Sequence, residues 1–298
     1  MNFLDYIKYR FSNILKYNRS LIGSSALINA RKNYHTIKNI RQAELKVFSQ
    51  YGEDGIIDYI LSKLNINAKI SFVEIGTGDY EEANTRYLCE TRPCQGYLID
   101  LDKKINFITK RNFYWQNDLK IINKKISVEN INNLLPKKYL EDLDLFSLDI
   151  DGLDYWILDT LDLSSTKIVI LEYNSIFGHD KEVTVPNIQN FDRSNYSKFY
   201  FGASLKALIN IMKAKNFYFI GANKACCNAF FINFKYQNLF SNIMVDDLSI
   251  YTDFSFREII PNSNKIFNYK KFAIQQILNL ELFDLNQKKI RKISDLYK

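Results

Sequence analysis

The sequence predicts an α/β fold: a doubly wound, Rossmann-like parallel sheet with an antiparallel edge hairpin, carried behind an N-terminal helical segment. Three observations predict it. From residue 46 onward, short apolar runs alternate with stretches of helical period. The first run, Ser71–Ile75, opens into a glycine turn, Gly76-Thr-Gly-Asp79. The last two runs read as a hairpin that closes the sheet. With 298 residues, 47% of them hydrophobic and 24% charged, the chain can bury a core without disulfides or a structural metal.

Element by element, Phe3, Leu4, Ile7, Phe11, Ile14 and Leu15 recur at three- and four-residue spacing among Lys8, Arg10, Lys16 and Arg19, the pattern of a basic amphipathic helix. Such a helix can lie on an anionic membrane or pack against the domain or a second subunit. Residues 20–45 are polar and mixed, and read as a linker with a short helix. Strands are then expected at Ile70–Ile75, Gly96–Leu101, Leu119–Ile126, Leu143–Ile150 and Lys167–Tyr173. Between them Ala83–Glu90, Lys103–Arg111, Val128–Leu135 and Tyr155–Leu161 read as helices. A helix over Ser204–Lys215 leads to the hairpin strands Phe217–Gly221 and Asn228–Phe234, and the irregular tail carries a helix around Lys271–Leu280. The division expected is 1–45 as a basic segment, 46–235 as the catalytic sheet and 236–298 as an extension.

Charge and composition narrow the function. Residues 1–48 hold nine bases against Asp5 and Glu44, which accounts for the whole net charge of +7. A nucleic-acid reader spreads its bases over a surface and carries recognisable signatures, and neither is present. No window reads as a membrane span or a signal peptide, so the chain is expected in the cytoplasm, with peripheral contact to the inner membrane as one of the two readings of its first helix. Cys89, Cys94, Cys226 and Cys227 match no zinc or disulfide spacing and read as reduced thiols.

The chemistry-bearing residues fall at the ends of the expected strands, where open α/β sheets bind ligands. Gly76 and Gly78 let a ligand approach the backbone, but the third glycine of a dinucleotide fingerprint is replaced by Glu81. A nicotinamide oxidoreductase is therefore disfavoured. Glu74 can accept hydrogen bonds from a cationic amino-acid group. Asp100, at the end of the second strand, can accept both hydroxyls of a ribose or cap the following helix. Together these favour an adenosine ligand bearing an amino acid and no pyrophosphate, S-adenosylmethionine. Asp149 and Asp151 stand two apart on the fourth strand, and Glu172 ends the fifth. The three can bind a divalent cation such as magnesium or manganese, supply a general base, hold the cofactor's ammonium, or form a solvated cluster. His179 follows in a loop expected beside the acceptor and can take a proton.

At this point several motifs carry a resemblance. Phe48-Ser-Gln-Tyr-Gly-Glu-Asp-Gly55, Phe72-Val-Glu-Ile-Gly-Thr-Gly-Asp79 with Ala83-Asn-Thr-Arg86, Ser147-Leu-Asp-Ile-Asp-Gly-Leu-Asp-Tyr-Trp156 and Val169-Ile-Leu-Glu-Tyr-Asn174 look like the FkbM-like branch of the S-adenosylmethionine-dependent methyltransferases. Tyr200–Leu208 and Asn228–Phe231 resemble it too. The resemblance spans roughly residues 46–235. It implies a class I methyltransferase fold with the glycine turn, Asp100, Gln50, Gly52, Glu74, Asn84 and Asp149 on the cofactor. It also implies Arg86 as a cofactor or acceptor contact; Asp151, Tyr173 and Asn174 are placed on the acceptor, and His179, Asp149 and Glu172 are catalytic candidates from their positions at the strand ends and the loop that follows. The implied activity is methyl transfer, to oxygen first and nitrogen second, on a small carbohydrate or nucleotide-linked precursor of a surface or capsular glycan. A rival reading is a non-catalytic member serving as a partner or membrane-associated module in glycan assembly. Homo-oligomerisation is compatible with either.

Overall fold

The computed structural model describes residues 3–106, 109, 116–245, 247–252 and 269–297. Its main strands are β1 (Ile70–Ile75), β2 (Cys94–Ile99), β3 (Asp118–Ile122), β4 (Leu145–Leu148), β5 (Ile168–Glu172), β7 (Phe217–Ala222) and β8 (Asn228–Asn233), with a two-residue β6 (Val183–Thr184) before the last pair. They form a seven-stranded sheet in the order β3-β2-β1-β4-β5-β8-β7. β1 to β5 are parallel, and β8 runs antiparallel to both β5 and β7. This is the doubly wound sheet with an antiparallel edge hairpin that the alternating pattern predicts. Strand order reverses across β1, so the ends of β1 and β4 diverge there and leave a crevice.

Both faces of the sheet are covered, which is why its strands are continuous apolar runs. On one face Val73, Ile75, Phe146, Leu148, Val169 and Leu171 pack with Ile157, Leu158 and Leu208. The latter come from the helices Asp154–Thr160 and Leu205–Ala214, the second capped by Ser204, whose side chain accepts from the Ala207 amide. The alternate residues, Phe72, Leu98, Leu145, Ile168, Ile170 and Phe230, face the other way onto Ile56, Ile57 and Ile60.

Those three isoleucines belong to α2 (Glu53–Lys63), a helix the sequence reading leaves out. It buries Glu53, Asp54 and Asp58 along with its apolar residues, so no polar face marks it. The N-terminal helix α1 (Phe3–Arg31) is also twice as long as its apolar spacing predicts. The stretch read as a linker folds onto the domain instead: Tyr34, Ile37 and Ile40 are core residues between short 3-10 turns. The expected helix over Lys103–Arg111 lies partly outside the described residues, of which 104–106 and 109 are helical.

At the other terminus the helix Tyr269–Gln275 is followed by strands β9 (Glu281–Asp284) and β10 (Lys289–Lys292). These join β6 in a second sheet of order β10-β9-β6. Leu282 and Ile293 are fully buried in the main core, so the tail packs into the same hydrophobic core as the seven-stranded sheet.

Candidate functional site

A cleft of about 890 Å³ opens at the carboxyl ends of β1, β2, β3 and β4, where Gly76, Gly78, Asp100, Lys124, Asp149 and Asp151 line it. Its floor is two backbones in contact. A Cβ on Gly76 would lie 1.4 Å from the Asp149 carbonyl oxygen, and Gly76 adopts φ +85°. The Asp149 amide donates to the Ile75 carbonyl at 3.0 Å and the Gly76 amide to Ile99 at 2.9 Å. Gly78 is left-handed too, but with open space where a Cβ would point. Its amide donates to the Asp100 carboxylate at 2.7 Å, and the other Asp100 oxygen accepts from the Asp102 amide at 2.8 Å. Asp100 therefore caps the chain after β2 and faces the cleft at once.

The carboxylates of Asp149, Asp151 and Glu172 do come together, with oxygens within 4.8 Å of one another. The route differs from the one expected. β4 ends at Leu148, so Asp149 and Asp151 converge through a loop turn, with Asp151 at φ 53°, and not through strand alternation. Glu172 is 9% exposed, and one of its carboxyl oxygens is buried with no hydrogen-bond partner. Burial first, and the Asp151 charge second, push Asp149 up to about 7. Burial and then Asp149 push Glu172 well above the usual carboxylate range. Two carboxyls so placed hold a proton between them at neutral pH. Arg193 pairs with Asp151 from the opposite loop. Asp154 underpins the turn, its two oxygens accepting the amides of Ile150 and Gly152 at 2.9 Å each, while burial raises it to about 6. Three clustered carboxylate oxygens suit a hard divalent cation, and the orphaned Glu172 oxygen is the atom such an ion would satisfy.

The other expected residues stand elsewhere. Gln50 lines the cleft, whereas Gly52 lies behind it as the left-handed residue before α2. Glu74 is 4% exposed and spends its carboxylate on the amides of Asn84 and Thr85 and the Thr85 hydroxyl. It anchors the loop after the glycine turn. Asn84 donates to Ser147 Oγ at 3.1 Å and is not part of the cleft lining. Arg86 is fully buried, donates to the Tyr80 carbonyl at 2.7 Å and stacks over Phe48, so it is unavailable to an acceptor. Tyr173 and Asn174 are also buried. The Tyr173 hydroxyl is hydrogen-bonded to the Tyr251 carbonyl at 2.5 Å, and the Asn174 amide donates to Phe199 and Phe201. His179 is exposed and outside the cleft lining, because Ile176 and Phe177 are drawn into the core and turn it to the surface.

Residues the sequence reading passes over complete the site. Lys124 and Lys125 form a basic wall after β3, with Lys125 Nζ donating to the Phe191 carbonyl at 3.0 Å. Phe191 and Arg193 reach in from the loop before Ser204. Opposite them Asp79, Glu81 and Glu82 make an acidic rim. Ending β3 at Ile122 would have brought the two lysines to the crevice; the 190–193 loop carries no local signal.

No family model matches the sequence, and no curated protein matches it. Solved structures do. The N-terminal domain of EvdMO1, crystallised with SAH and D-fucose, aligns at 11% identity over 58% of this chain and 78% of its own, with a TM-score of 0.38. The CurJ carbon methyltransferase aligns at 11% identity over 78% and 70%, TM-score 0.38. The [4+2]-cyclase SpnF aligns at 10% identity over 67% and 72%, TM-score 0.36. At such identities these likenesses concern the path of the chain and not its chemistry.

Proposed function

We propose that this chain is an S-adenosylmethionine-dependent methyltransferase of the class I fold and FkbM-like branch, acting on an oxygen of a small carbohydrate or nucleotide-linked glycan precursor. The observation that carries the reading is the pairing of Gly78 and Asp100 at the point where strand order reverses. An acid there accepts ribose hydroxyls, and Asp79 on the rim disfavours a pyrophosphate and tolerates a sulfonium cation, whereas Glu81 and Glu82 are paired with Lys16 and Lys46. Lys124 and Lys125 on the far wall supply cations for a phosphate-bearing acceptor, while Arg193 is held by Asp151. The displacement is in-line, so the site's work is alignment and proton removal. Asp149, near 7, is matched to take a hydroxyl proton at neutral pH and replaces His179 as the proposed base. A second reading, favoured by the orphaned Glu172 oxygen, has Asp149, Asp151 and Glu172 hold magnesium or manganese.

Calorimetry tests the assignment. The chain should bind S-adenosylmethionine or its demethylated product, and Asp100→Ala should weaken binding by about 10- to 150-fold, the worth of a charge-assisted hydrogen bond. Absence of binding by the wild type overturns the assignment; an unchanged affinity in the variant removes Asp100 from it. A labelled-donor screen of sugar nucleotides, run with manganese and with chelator, then separates the acceptor class and the two readings of the acid cluster.

A further inference from the structure

The helix α1 is docked with its apolar side outward. Its inward side is made of small residues and one leucine: a Cβ on Gly23 would lie 2.5 Å from the Val47 side chain, Leu27 is 1% exposed, and Ser24 meets the Tyr87 hydroxyl at 3.0 Å. Lys16 pairs with Glu81, and Arg31 with Asp58. On the opposite side Ile14, Leu15, Tyr17, Leu21, Ile22 and Ile28 are each 50–71% exposed. At about 100° per residue these six positions cover an arc of about 160°, with Gly23 diametrically opposite Ile14 and the exposed Asn18, Ser25 and Asn29 standing among them. In the sequence, Leu4, Ile7 and Phe11 continue the same spacing.

We infer that this face of α1 seats the protein on an anionic lipid surface. An arc this wide exceeds the two-per-heptad seam of a helix pair and is what an interfacial helix buries among acyl chains. The charge agrees: residues 1–48 carry the whole net charge of +7. Among the described residues Lys32 and Lys38 are exposed, with no ion pair to an acid. No helix among the described residues is long and apolar enough to cross a membrane, so the contact is peripheral. The inward side of α1 thus carries the domain and its outward side carries the membrane.

The test is sedimentation of the full chain with vesicles of phosphatidylcholine containing about a third phosphatidylglycerol, and with phosphatidylcholine alone. Partitioning onto the anionic vesicles, weakened by high salt, is expected. The triple variant Ile14→Ser, Leu21→Ser, Ile22→Ser should lose about a hundredfold or more, given roughly tenfold per buried apolar side chain. Because those positions are exposed its thermal midpoint should stay that of the wild type, and Ile22→Asp gives a single-site check. Lys32→Gln with Lys38→Gln should lose several-fold, about fivefold per basic residue at most. A wild type that stays in the supernatant, or serine variants that bind as well as it does, overturns the inference. So does a wild-type dimer that the triple variant converts to a monomer without any vesicle binding, which would give the face to a second copy of the chain.

Discussion

Gly76 and Gly78 stand two residues apart and are needed for different reasons. Alanine at Gly78 meets open space and costs only its left-handed backbone, about 1–2 kcal/mol. Alanine at Gly76 bears the same cost and drives a methyl group into the Asp149 carbonyl. Thermal denaturation should show a modest loss for Gly78→Ala, and for Gly76→Ala a larger one together with loss of cofactor affinity. Equal losses would mean the floor yields. Asp154 makes a pH prediction. Its pKa is raised by burial to about 6, so above its ordinary range the folded state holds a proton that the unfolded state has released. The stability this contributes is complete below about 4 and is lost as pH rises through about 6, up to about 3 kcal/mol. Asp154→Asn should flatten the decline of unfolding free energy between pH 4 and 7; an unchanged slope would assign the decline to other groups.

The helix α2 shows what the sequence conceals. Strands β1, β5, β7 and β8 are legible within a residue or two because they are uninterrupted β-branched and aromatic runs. In α2 the residues that look solvent-facing are internal partners. Asp54 accepts the amides of Val47, Phe48 and Ser49 at 2.8 Å each. Glu53 accepts from the Tyr51 amide and from the side chains of Asn223 and Asn228. The Ser-Gln-Tyr-Gly-Glu-Asp-Gly motif is therefore a clasp between the N-terminal segment and the β7–β8 hairpin, and only Gln50 of it reaches the cleft. Glu53→Ala strands three donors, so chemical denaturation should register a loss of about 3 kcal/mol or more. A loss below about 1 kcal/mol would show that water replaces the carboxylate. The acid cluster was legible as residue types at strand ends, while Lys124, Lys125 and Arg193 were not, because only the folded β3 and the 190–193 loop bring them to the crevice. Conversely Tyr173, Asn174 and Arg86 sit beside the right motifs but point into the core.

At the scale of the whole molecule, segments read from sequence as peripheral close the domain. Ending the chain at residue 268 would uncover core surface that Ile277, Leu282 and Ile293 now fill and would remove β9, the strand that β6 pairs with, together with β10. Such a truncation should be insoluble or bind a hydrophobic dye strongly; a folded, monomeric product would make the second sheet an accessory. This closure also sets the order of assembly. Val183 finds its strand partner in Asp284, about a hundred residues later, and Glu53 finds Asn223 across 170 residues. Pairings this distant place the chain among slow folders, since loop closure must be completed before those contacts repay it. At synthesis rates of about 5–20 residues per second, β6 waits several seconds for β9 to emerge. Through that interval part of the core is open to water, to other nascent chains and to chaperones, and the emergence of β9 ends it.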